Sequence, residues 1–252
     1  ALLEIGLLPI ARRFFESSLQ LLERVAPDSL DVARALLSLG TLESTKGNSA
    51  AALPYLERAR ALTERVAPAS ATAGWALWEL GRLHINTWDL WKAENYLSAA
   101  LAIQERLAPE STEAQGEMAQ CLYAIGTILC RRDDLVHSRE YLERALAIWE
   151  PLAPHGGGAV NALRNLGRCA TKGGDFAAAE AYLRRALADT EQIDRGESRM
   201  TAMTLLPIGM NAHVQVARSL VHVSARRLVG RPVARHRPGD AHRSAGGEGR
   251  RH

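Results

Sequence analysis

Five side chains between positions 161 and 172 carry the clearest chemical pattern: Asn161, Arg164, Asn165, Arg168 and Lys172 recur at helical spacings and so share one helix face. Guanidinium forks and amides in that arrangement suit carboxylates. A solvated basic helix face carries the same pattern, so both readings stand at this point. A second concentration is aromatic, with Trp75, Trp78, Trp88 and Trp91 crowded into 17 residues. Tryptophans anchor many binding sites, and these four serve equally well as core filling. Trp88 is the stronger contact candidate because a turn is expected there, with Trp91 beside it.

Catalytic constellations are missing from the sequence. There is no GxSxG elbow, no GxxxxGK[ST] phosphate loop and no HExxH metal motif. Gly156-Gly157-Gly158 lacks both a preceding strand and a following lysine, and reads as a loop. His84 and His137 occupy unrelated positions and read as exposed or hydrogen-bonded helix residues. Cys121, Cys130 and Cys169 have no paired spacing and read as reduced core or groove residues, with a cytoplasmic location as the default. The expectation is therefore a non-enzymatic chain without metal or cofactor. Glu4 interrupts the most apolar stretch, Ala1 to Ala11, so no run is long enough for a spanning helix.

The elements that must position these residues follow from a repeat. Val/Leu-Ala-Pro recurs at Pro27, Pro68, Pro109 and Pro154, in steps of 41, 41 and 45. Between the prolines runs Leu-x-x-Leu/Ile-Gly, with its glycine at Gly40, Gly81, Gly126 and Gly167. Twelve residues after each glycine comes a small residue (Ala52, Ala93, Ser138, Ala179), then Leu56, Leu97, Leu142 or Leu183, then Ala59, Ala100, Ala145 or Ala186. Each unit thus reads as a helix A carrying the glycine and a helix B carrying the Ala-Leu-Ala face. A glycine inside a helix costs about 1 kcal/mol relative to alanine, so its repetition implies a close approach of the two helices. Turns are expected at Gly47-Asn48, Trp88-Asp89, Asp133-Asp134 and Gly174-Asp175. Ser29, Ser70 and Ser111 stand where helix A needs an N-cap. Four extra residues between Pro109 and Leu122 predict a helix A one turn longer in that unit.

These motifs resemble the tetratricopeptide repeat, and the longer period is most similar to its kinesin-light-chain-like subclass, abundant in bacterial multidomain signalling proteins. The resemblance implies an all-α, right-handed solenoid of antiparallel helix pairs. In register, the units are 1–27 (truncated), 28–68, 69–109, 110–154 with the extra turn, and 155–195. A further unit starts at 196–212, and an Arg/His/Gly-rich tail occupies 213–252. Carried backwards, the register aligns Gly6 with Gly47. A turn is therefore expected at Gly6, after the last turn of a truncated helix A, and the chain is read as a fragment of a longer array.

The resemblance also implies a concave groove lined by helix A, holding a protein or peptide partner. By register its side chains are Arg34, Trp75, Trp78, Arg82, Asn86, Tyr123, Arg131, Asn161, Arg164, Asn165, Arg168 and Lys172. Their charge favours acidic groups on the partner. An alternative is a regulatory segment of a larger signalling enzyme, a protein kinase or caspase-like protease. Charge argues against nucleic acid along the array: residues 1–195 carry −4, and the whole-chain value of +3 comes from the +7 of residues 196–252. The tail is the exception, and it reads as a nucleic-acid or acidic-surface binder, a disordered linker, or an out-of-frame stretch. The pattern says nothing of oligomeric state.

Overall fold

The computed structural model describes residues 2–194, with side chains from residue 9 to residue 192, all inside one unit spanning Ala1–Ala212. Expectations for 196–212 and for the tail lie outside the described residues. Among the described residues there are nine α-helices and no strand: α1 (Leu2–Val25), α2 (Leu30–Thr45), α3 (Ser49–Val66), α4 (Ala71–Asn86), α5 (Leu90–Leu107), α6 (Thr112–Arg131), α7 (Leu135–Leu152), α8 (Gly157–Gly173) and α9 (Phe176–Asp194). None of them is long and apolar enough to cross a membrane.

Each helix packs on its neighbours in the chain, giving a solenoid of helix pairs. The backbones of the A helices α2, α4, α6 and α8 also approach one another in succession, whereas those of the B helices α3, α5, α7 and α9 stay further apart and meet only through long side chains such as Tyr96 to Glu57 and Arg144 to Glu105. The stack therefore curves with the A helices on its inner side.

The seat between A and B is the same in every unit. A Cβ added to Gly81, Gly126 or Gly167 would stand 2.6, 2.8 or 2.7 Å from Cγ of Leu97, Leu142 or Leu183, and one on Gly40 would collide with Leu56 in the same way. Those four leucines, and the small residues flanking them on helix B, are fully buried. The glycines thus trade helix propensity for closer packing, which dispersion across the whole seam favours.

The boundaries follow from local chemistry. Ser29, Ser70 and Ser111 accept from the amides of Val32, Ala73 and Ala114 at 3.4, 3.2 and 3.2 Å. The A-to-B turns place Gly47, Trp88, Asp133 and Gly174 at φ of 81°, 62°, 64° and 80°. Asp89, Asp134 and Asp175 then cap the B helices through the amides of Lys92, His137 and Ala178. Helix α6 has 20 residues against 16, 16 and 17 for α2, α4 and α8. Its added turn lies at the N-terminal end, and Leu122, Ile125 and Gly126 stay buried.

Two expectations fail. No turn occurs at Gly6, because α1 continues through it. The residue after Gly6 is Leu7, not the Asn or Asp that stops and restarts the helix elsewhere. The glycine triplet is not a loop either: only Gly156 stays outside, as N-cap, while Gly157 and Gly158 open α8. A Cβ on Gly158 would lie 2.6 Å from the Trp149 ring, so the packed indole explains a glycine at that helical position.

Two glycines of α6 should respond oppositely to alanine. Gly126→Ala is expected to destabilise by about 1–2 kcal/mol through overpacking against Leu142. Gly116→Ala, where nothing lies within 4 Å, should stabilise by about 0.5–1 kcal/mol; urea unfolding followed by circular dichroism reads both. In the turn before α5, Trp88 is 72% exposed in a left-handed conformation that costs a bulky residue about 1–2 kcal/mol. Trp88→Gly should therefore raise stability by about 0.5–1 kcal/mol, and a loss would mean that the indole contributes more than it strains.

Candidate functional site

The inner face is built by one side of each A helix, whose opposite side is fixed in the seam. In α8, Arg164 donates from Nη1 to Asn161 Oδ1 at 3.2 Å, while its buried Nε has no hydrogen-bond partner. Asn165 Nδ2 donates to the Tyr123 hydroxyl at 2.9 Å and to the Asn161 carbonyl at 3.0 Å. This ties the patch to α6. Arg168 is exposed one turn further on. Lys172 is already engaged: Nζ donates to the Cys130 carbonyl at 2.8 Å and pairs with Asp133 at 2.5 Å, closing the C-terminal end of α6.

Beneath Arg168, Cys130 and Cys169 are buried side by side. The thiol of Cys169 holds Cys130 below the ordinary thiol range, helped by the positive charge of Arg168 and Lys172. Cys169 is raised in turn by its bond to Cys130 and by burial. Ser138 donates to the Gly126 carbonyl at 2.7 Å, and its Oγ lies 3.1 Å from Cys169 Sγ. Burial pushes Cys121 up to about 12. All three are buried and lack the exposure of a reactive thiol.

The remaining candidate residues separate by environment. Arg34 pairs with Asp31 at 3.1 Å. Arg82 donates to Glu79 Oε2 at 3.1 Å from Nε and at 2.6 Å from Nη2, and its guanidinium lies 5.6 Å from the Trp78 ring centre. Trp75 donates to Glu79 Oε1 at 3.4 Å. Trp75 and Trp78 are half-buried on the inner face, whereas Trp88 and Trp91 are exposed at the turn and the start of α5. Arg131 stacks 5.1 Å from the Trp88 ring centre, and Asn86 is exposed at the end of α4.

Sequence reasoning missed the acidic part of this face. Glu79 is almost fully buried beneath Arg82 and Trp75. A cavity of about 130 Å³ lies between α4, α5 and α6, lined by Trp75, Trp78, Gln104 and Glu117. It adjoins a shallower depression of about 480 Å³ that shares Trp75 and Glu117 and adds Arg34, Glu110 and Glu113. Burial, reinforced by Glu113, raises the Glu117 carboxyl above the usual range. The four-residue insertion was the available signal, since the added turn of α6 carries Glu113.

Of the helical histidines His84 and His137, His137 meets the expectation, exposed and bonded to Asp134 at 2.8 Å. His84 does not. It is buried, stacked 5.5 Å from the Tyr96 ring, and its Nδ1 has no hydrogen-bond partner. Burial holds it below the ordinary histidine range. Among the described residues no group of three or more His, Cys, Asp and Glu could hold a metal ion.

Known structures share the arrangement. BtubC (BKLC) from P. vanneervenii superposes with a TM-score of 0.68 at 16% identity, covering 95% of this chain and 99% of that one. The apo form of RapI gives 0.64 at 16% identity, covering 77% and 68%. A putative kinesin light chain from Podosopora anserina, with nearly identical TPR-like repeats, gives 0.56 at 18% identity, covering 77% and 92%. At these identities the likeness is one of fold, the right-handed solenoid of helix pairs. No curated protein sequence matches the chain. The family model described as "Tetratricopeptide repeat" matches residues 1–65 and 117–192, and with the four glycine-seated helix pairs this shows that the chain belongs to the tetratricopeptide repeat family.

Proposed function

We propose that this chain is a non-catalytic scaffold that binds a protein or peptide partner along the inner face of its A helices. The observation that carries this reading is the α8 patch. Arg164 and Arg168 stand one turn apart on the inner face, Arg164 Nε is buried without a partner, Asn165 is anchored beside them by its bond to Tyr123, and Asn161 accepts from Arg164 and Asn165. A carboxylate of the partner would complete the hydrogen bonding of Arg164, and a bidentate guanidinium contact gives it direction as well as affinity. Family membership supports a role in protein interaction, and Trp88 with Arg131 offers a second contact at the rim.

The test is affinity capture with the full chain, followed by titration of a captured partner against wild type and the double variant Arg164→Glu/Arg168→Glu. More than a tenfold loss of affinity, with the helical signal intact, is expected. Unchanged affinity for every captured partner would overturn the role of α8.

A further inference from the structure

We propose that the cavity between α4, α5 and α6 is a subsite for a basic side chain, the guanidinium or ammonium group of an arginine or lysine on the bound peptide. This rests on the inner-face reading above but concerns the opposite charge, at another place on that face.

The acceptor set is specific. Gln104 is only 2% exposed, yet it lines the cavity, and its Oε1 has no hydrogen-bond partner. Its Nε2 donates to Glu117 Oε2 at 2.6 Å, which fixes the amide so that the orphan oxygen and the carboxylate belong to one assembly. Gly74 makes room for it, since a Cβ there would lie 2.6 Å from Gln104 Nε2. A buried acceptor left unsatisfied is costly, so a donor supplied from outside would relieve a penalty as well as add a bond.

Charge complementarity selects that donor. Glu117 sits in the cavity wall, with Glu110 and Glu113 around the adjoining depression. The cations nearby are already compensated, Arg82 by Glu79 and Arg34 by Asp31. Trp75 and Trp78 supply aromatic walls, which favour a cation over a neutral donor. A cation would also relieve the repulsion between Glu113 and the half-buried Glu117.

The test titrates the full chain, labelled with nitrogen-15, with N-acetyl-arginine amide and N-acetyl-lysine amide, and follows the tryptophan indole N–H resonances. N-acetyl-citrulline amide is the neutral control of similar shape. Saturable shifts confined to Trp75 and Trp78 with the two cations, at least tenfold weaker with citrulline, are expected. Glu117→Gln, which removes a half-buried charge and should fold at least as well, is expected to weaken the cations at least tenfold. The variant Arg164→Glu/Arg168→Glu should leave these shifts unchanged. No saturable shift, an equal response to citrulline, or an unchanged titration in Glu117→Gln would overturn the subsite. Those outcomes leave the α8 reading standing, because that reading fails only on the partner-affinity measurement with the arginine variants.

Discussion

Everything in this molecule depends on the seat in which a helix A glycine receives a helix B leucine. At Gly40, Gly81, Gly126 and Gly167 the missing side chain lets the two helices approach until Leu56, Leu97, Leu142 and Leu183 are sealed from water. Each seat fixes the rotation of helix A about its own axis, and hence which residues it turns inward. The inner face is a consequence of the seam rather than an independent design. Repetition then turns a local packing rule into a long surface, because each pair buries its remaining apolar side against the next.

Much of this was legible in the sequence, and for a physical reason. Serine caps and Asp-containing turns are local devices whose residues lie within one or two helical turns of the structure they impose, and each glycine seat pairs a glycine with the leucine 16 residues on, a spacing that recurs unchanged in every unit. The lengthening of α6 by four residues was equally readable, since one turn added at the N-terminal end preserves the register of Leu122 and Ile125. The continuous α1 and the helical Gly157 and Gly158 were not. In the first, a glycine without the usual Asn or Asp after it failed to break a helix; in the second, a residue outside the triplet, Trp149, decided its conformation.

The candidate site was legible only in part. Register placed the A-helix residues on the inner face, but it could not say which were already spent. Lys172 closes the end of α6, Arg82 neutralises Glu79 and Asn165 braces Tyr123, through contacts of side chains that the stacking brings together. Nor could register reveal Gln104, a helix B residue that reaches the cavity because Gly74 leaves it space. What emerges is a face of two characters, acidic and aromatic between α4 and α6, basic on α8. Its net charge is a poor guide to either end.

The functional reading depends on the A helices lying inside the curve, and that can be measured directly. Bio-orthogonal spin labels at Thr41 and Arg168 on α2 and α8 report the A-side span, and labels at Arg58 and Arg185 on α3 and α9 report the B-side span over the same four units. Pulsed electron resonance should give a shorter A-side than B-side distance. Equal distances, or a longer span on the A side, would contradict the account.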